Sequence, residues 1–470
     1  MKIFLYFVIL KVYLSLDFNP IPEGNGKLNS HYAHKSTKNL YFIFEHFRHG
    51  ARSPCRGGFV NKTDDIGGKW TNYGSLTKVG IKQHYKLGLR NRKYYNGFIS
   101  KEYKPEEIKV YCSNYNRTIM SAQAQLLGFY NSMSFNNIEK NDDIIGEEKI
   151  INKASLHSII PPINLFENKL KGNKEIFEIV FGEKFKCPLH KEMVNKNIEN
   201  MDEMETFDKL NNIKGTINTK YFEVISREFD IGTYTMNYTG MTSFCDIFIC
   251  NYFDDGENKK RLLNLEKRFK TFNSTDIVEK CYDFFSEKFF TVEGAEFANK
   301  SSLIIMSKLM KRMLNYMESR IKLNDHNYLS YESPKFVLYS GHDDTLTQMQ
   351  LFLHKFFNIN LEWIPFASNQ IYEIRKYGNV FYIEVYYNEK LKMNITFEQF
   401  SEIINKSIMS EEEINQKCYG KTHSPYFMRI LILCSLFLIL AISHILTKLY
   451  YSKFLEKCKS EKAPREILIA

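Results

Sequence analysis

A buried strand that must end in a cluster of cations constrains this chain more than any other feature. Leu40-Tyr41-Phe42-Ile43-Phe44 is an apolar, aromatic run that reads as a buried strand. It leads into Phe47-Arg48-His49-Gly50-Ala51-Arg52-Ser53-Pro54, where one histidine lies between two arginines and a glycine and a proline shape the backbone. A strand ending this way delivers two guanidinium forks and one imidazole to a single point. Guanidinium forks match phosphate oxygens in pairs. A neutral imidazole can attack phosphorus and carry the phosphoryl group covalently. With five fixed positions, a chance match is on the order of one in ten thousand. An incidental basic turn is therefore set aside.

Four further segments accompany this one. Lys335-Phe336-Val337-Leu338 reads as a second short strand and runs into Tyr339-Ser340-Gly341-His342-Asp343-Asp344-Thr345-Leu346. A His-Asp pair alone is a weak signal; its place at a strand end gives it weight. Asn116-Arg117-Thr118-Ile119-Met120-Ser121-Ala122 puts an arginine at a helix start, where anions are favoured. Gly74-Ser75-Leu76-Thr77-Lys78-Val79-Gly80 reads as the entry to a helix, and Ala367 to Asn388 as a late hairpin.

In this order, the segments resemble the histidine acid phosphatases, a branch of the histidine phosphatase superfamily that includes lysosomal and prostatic acid phosphatases and many phytases. The resemblance runs from about Leu40 to about Asn388 and is weakest from Phe135 to Phe290. It implies an α/β fold: a phosphoglycerate-mutase-like core with a mainly parallel sheet flanked by helices, and an inserted, mostly helical cap. It implies His49 as the nucleophile and Asp343 as the proton donor. Arg48, Arg52, Arg117 and His342 would bind the substrate phosphate of a monoester. No cofactor and no metal are implied. The same motifs also fit an inositol phosphate phosphatase of phytase type, or a non-catalytic surface protein on this fold. Two departures stand out. Tyr111-Cys112-Ser113 replaces the Arg-Ser-Thr of many animal members, and Ala51 replaces an aspartate; neither is expected to touch the six chemical residues. Asp344 is expected to cap a helix.

The chain ends point to export. Met1-Lys2 precedes a short apolar run, which reads as a signal peptide over residues 1–19. Ile430 to Leu446 is an uncharged run of seventeen residues, short for a membrane span, and is expected as a transmembrane helix over 430–447. Six basic and three acidic residues follow it, so 448–470 reads as a cytoplasmic tail. The expected protein is single-pass type I, with its catalytic domain lumenal or extracellular, in lysosome, secretory vesicle or cell surface; a homodimer is one arrangement left open. The net charge of +10 falls to about +5 without leader and tail, and no nucleic-acid motif accompanies it, so nucleic acid is excluded as a partner.

Seven cysteines lie between the apolar ends, which suggests disulfides with one thiol left over: Cys245 and Cys250 suit a local loop, and Cys55 suits the free thiol. Sequons at Asn61, Asn116, Asn237, Asn273, Asn299, Asn394 and Asn405 suit a glycoprotein, with Asn116 expected to be buried. The ectodomain, 20–425, divides into a core over about 38–135 and 290–400 and a cap within about 136–290. Leu303, Met306, Leu309, Met310, Met313, Met317 and Ile321 recur at helical spacing and predict a helix packed on the core.

Overall fold

The computed structural model of the chain describes residues 37–55, 70, 72–130, 163–165, 238–268, 273–287, 292–323, 332–419 and 425–460. The leader at 1–19, Cys187, Asn61 and most of 136–218 lie outside the described residues. Two compact units are present, Met1–Ser410 and Glu411–Ala470.

The first unit is built on one sheet. Its strands are β1 (Leu40–Arg48), β2 (Ile108–Cys112), β3 (Ile163–Leu165), β4 (Phe336–Gly341), β5 (Asn369–Tyr377), β6 (Val380–Tyr387) and β7 (Lys390–Thr396), in the spatial order β3-β2-β4-β1-β5-β6-β7. β3, β2, β4 and β1 pair in parallel, whereas β1, β5, β6 and β7 pair antiparallel. The sheet is therefore mixed rather than mainly parallel. The late strands are joined by turns too short for a crossover, and such hairpins can only pair antiparallel. β3 is also a correction: it falls in the stretch read as helical cap and joins the edge of the core sheet.

Helices cover both faces. From Phe42 onward β1 alternates, sending Phe42 and Phe44 to one face and Ile43 and Phe47 to the other, and an irregularity between Leu40 and Phe42 puts Leu40 with the second set. The first face packs on α6 (Val292–Lys322), α7 (Asp343–Phe357) and α8 (Phe397–Ser407). Met306, Leu309, Met310, Met313 and Met317 of α6 are all buried there, as their spacing predicts. The second face packs on α1 (Lys78–Tyr94) and α2 (Asn116–Tyr130) through Tyr94, Ala122, Leu126 and Phe129. Central β4 is buried along its whole length, which a strand covered on both faces requires.

Between the two halves of the core lie α3 (Tyr238–Tyr252), α4 (Glu257–Arg268) and α5 (Ser274–Glu287). Their apolar faces form a separate cluster around Phe244, Phe248, Leu262, Val278 and Tyr282, and this cluster includes Ala51 and Phe366. The second unit comprises α9 (Glu411–Tyr419) and α10 (Pro425–Ser460). Within α10, Ile432–Lys457 is long and apolar enough to cross a membrane, with a mean hydropathy of 2.1 and none of that stretch buried. The helix is longer than the uncharged run alone suggested.

Cys245 and Cys250 are both free thiols, so the local loop between them does not form. Five residues apart on one helix, they point from different turns. Cys55 is free and exposed, and Cys418 is disulfide-bonded. Asn116 is exposed rather than buried, because the first residue of α2 faces outward. Asn273, Asn394 and Asn405 are exposed as well.

Candidate active site

The parallel half of the sheet decides where the site lies. β2, β4 and β1 run side by side, and Arg48 pairs with Gly341 at their carboxyl ends. The chain emerges there as Ser113, His342-Asp343 and His49. The His49 N–H donates to the Gly341 carbonyl at 3.0 Å, and the Ser113 N–H donates to the Ser340 carbonyl at 3.2 Å. Ligands of open α/β sheets bind beyond such strand ends. α7 begins at Asp343 with His342 as its N-cap residue, so the positive end of that helix dipole faces the same point.

The loop after β1 is locked against α1. Thr77 caps α1, and its hydroxyl also donates to the Ala51 carbonyl at 2.9 Å. Gly50 and Gly80 meet backbone to backbone: a Cβ on Gly50 would lie 2.4 Å from the Gly80 carbonyl oxygen. Only glycine permits that approach, which explains why an Arg-His-Gly segment pairs with a Leu-Thr-x-x-Gly helix entry.

His49 is buried, and its Nδ1 lies 2.9 Å from the Gly50 carbonyl oxygen. A carbonyl only accepts, so Nδ1 carries the proton and the lone pair resides on Nε2. Burial first, then Arg48, Arg52, His342 and Arg117, hold the His49 pKa well below its ordinary value. The ring is therefore neutral where a free histidine would be protonated. His342 is fixed in the other tautomer. Arg117 donates to its Nδ1 at 3.4 Å, so Nε2 carries the proton and donates to the Ser113 hydroxyl at 2.9 Å. Burial, followed by Arg117, lowers the His342 pKa to about 3. The two imidazole rings are 5.5 Å apart.

The guanidiniums are held individually. Arg48 donates to the Ile364 carbonyl at 2.5 Å, pairs with Asp343 at 2.8 Å and lies 4.3 Å from the Phe366 ring centre. Arg52 pairs with Asp246 of α3 at 2.7 Å. Arg117 lies over Tyr115. The Nε–H groups of Arg52 and Arg117 are buried without an acceptor among the described residues. Buried guanidinium donors gathered around one imidazole suit an oxyanion. Asp343 is 44% exposed and pairs with Arg48, whereas Asp344 is exposed and its N–H donates to Asp343 at 3.1 Å.

The structure thus brings together all six residues singled out in the sequence, His49, Asp343, Arg48, Arg52, Arg117 and His342. It also adds residues that the sequence did not reveal. Ser113 touches His342 directly, which corrects the expectation that the Tyr111-Cys112-Ser113 departure stands clear of the site. His84 bonds the Arg48 carbonyl at 3.1 Å and Gln125 at 3.2 Å, and Asp246 and Phe366 meet the arginines from other segments. None of these carries a local motif; each is placed by the fold.

Two guanidinium forks, a third arginine and two imidazoles in opposite tautomers thus meet at the carboxyl edge of a mixed α/β sheet. The sequence profile of the histidine phosphatase superfamily, branch 2, matches residues 40–388, and the chain belongs to that family. Human lysosomal acid phosphatase is 24% identical over 361 residues, covering 75% of this chain and 71% of the relative. Bovine prostatic acid phosphatase is 34% identical over 121 residues, 26% of this chain and 29% of the relative. Among solved structures, the phytase of Citrobacter braakii superposes with a TM-score of 0.52 at 12% identity, over 79% of this chain and 98% of that one. The protein is a phosphatase of this branch.

Proposed function

We propose that the protein is an acid phosphatase that hydrolyses phosphate monoesters through a phosphohistidine on His49. The carrying observation is the tautomer: the Gly50 carbonyl holds the Nδ1 proton and leaves Nε2 free to attack. The phosphate enters between Arg48, Arg52, Arg117 and His342. His49 Nε2 forms the P–N bond in line with the departing oxygen, and protonated Asp343 gives that oxygen its proton. The Asp343 carboxylate then takes a proton from water, whose oxygen bonds to phosphorus as the P–N bond breaks, releasing inorganic phosphate and neutral His49. The arginines stabilise the spread charge on the equatorial oxygens throughout.

The reading extends to the setting. The helices α3 to α5 form the inserted cap, supported by Asp246 reaching Arg52 and by Phe253 packing on Phe366 at 5.5 Å. Ile432–Lys457 is a membrane span, with the catalytic domain lumenal or extracellular.

The pH dependence follows from the signs. A lowered His49 pKa keeps the nucleophile unprotonated well into acid, so acid does not silence it. The acid function of Asp343 needs a proton, which rising pH removes. Hydrolysis of an alkyl phosphate monoester, whose leaving oxygen needs the Asp343 proton, is expected to peak at acid pH across pH 4 to 8 and to vanish in His49→Ala. A folded protein that hydrolyses no monoester, or a His49→Ala variant that retains activity, would refute the proposal.

A further inference from the structure

Asp246 sits on α3, far in sequence from every motif, yet it makes two contacts with the turn that carries Arg52. Its Oδ1 accepts from Arg52 Nη2 at 2.7 Å, and its Oδ2 accepts from the Cys55 N–H at 2.9 Å. Cys250, one turn further along α3, adds a third contact, accepting from Arg52 Nη1 at 3.5 Å. The remaining Nη1 contact is the Ser53 carbonyl at 3.0 Å. Both terminal nitrogens of Arg52 are thereby engaged by protein. Its Nε–H is left buried, without an acceptor among the described residues.

We infer that Asp246 is a positioning residue for the reaction: it orients the Arg52 guanidinium so that its remaining donors meet the phosphate. The inference rests on Arg52 being a phosphate ligand. Three arguments carry it. A guanidinium on a flexible side chain has many rotamers, and one carboxylate that grips both the side chain and the backbone three residues on removes most of them. Arg48, Arg52 and Arg117 also all bear on His49, and Asp246 is the carboxylate on Arg52, as Asp343 is on Arg48. Burial works against the Arg52 charge, and the adjacent Asp246 carboxylate favours it. Finally, an amide cannot replace the carboxylate. With its oxygen on Arg52, an asparagine would set its own N–H₂ against the Cys55 N–H, donor against donor.

The test is a double-mutant cycle in the full chain, with p-nitrophenyl phosphate as substrate and inorganic phosphate as competing inhibitor. Arg52→Ala is expected to lose a hundredfold or more in kcat/KM, on the order seen when one transition-state donor is removed. Asp246→Asn is expected to lose about tenfold, and Asp246→Glu to recover most of that loss. The double variant R52A/D246N should match R52A within about twofold, because Asp246 acts only through Arg52. Phosphate inhibition should weaken in D246N. An Asp246→Asn enzyme within twofold of the parent, beside a disabled R52A, overturns the inference and leaves the site reading intact. So does a double variant whose losses multiply. A fully active R52A overturns the assignment of Arg52 itself. If D246N does not fold, D246S takes its place; if neither folds, the carboxylate serves folding and the inference falls.

Discussion

At the residue scale, the site works by fixing protons. His49 and His342 are chemically identical side chains, yet one faces a carbonyl through Nδ1 and the other faces a guanidinium there. Those neighbours give one ring a free Nε2 lone pair and the other an Nε2 proton. Asp343 differs from Asp344 by its ion pair with Arg48. If Asp343 is the proton donor, its value depends on the leaving group. Asp343→Asn should lower kcat/KM for an alkyl phosphate by two orders of magnitude or more, within the range for general acid catalysis. The loss should be far smaller for p-nitrophenyl phosphate, whose phenolate leaves without help. Equal losses on both substrates would show that Asp343 serves binding instead. The histidines and arginines were legible in the sequence because each sits in a motif with a strand or a helix start beside it. Asp246, Ser113 and His84 were not, since their meaning comes from residues that the fold brings to them.

At the element scale, local rules read well and pairing rules read poorly. β1 and β4 announced themselves as apolar runs, and α6 by methionines and leucines at helical spacing. Thr77 announced α1 by the helix-entry pattern, and the structure adds why the pattern recurs: its hydroxyl binds the Ala51 carbonyl while Gly80 makes room for Gly50. Strand direction was harder. The parallel half of the sheet follows from helical crossovers, but β5 to β7 close through short turns and are antiparallel. β3 is only three residues long, too short for any periodicity to show. The cysteines misled for a related reason. Sequence distance makes Cys245 and Cys250 neighbours, and the helix then directs them to different turns.

At the scale of the whole molecule, a phosphatase proposed to work in acid contains buried histidines that acid threatens. Burial lowers the pKa of His46 to about 3 and that of His84 to about 4. In the unfolded chain both return to about 6.5. Below that value the unfolded state binds more protons, so stability is full above about pH 6.5 and falls as the pH drops toward the folded values. Each histidine contributes a slope of up to about 1.4 kcal/mol per pH unit in that window. His46 stacks on Tyr339 at 6.3 Å, and neither of its ring nitrogens has a hydrogen-bond partner among the described residues. His46→Phe should therefore flatten the fall in urea stability between pH 6 and 4.5 by about one proton; an unchanged slope would mean that His46 is not the titrating group. The central claim, however, is a covalent one, that the phosphoryl group passes through His49. The direct measurement is to quench the enzyme during turnover of a ³²P-labelled monoester and map the label. The label is predicted on His49, stable in alkali and lost in acid as a phosphoramidate should be, and absent from His49→Ala. Label on another residue, or rapid turnover with no labelled protein at any quench time, would contradict it.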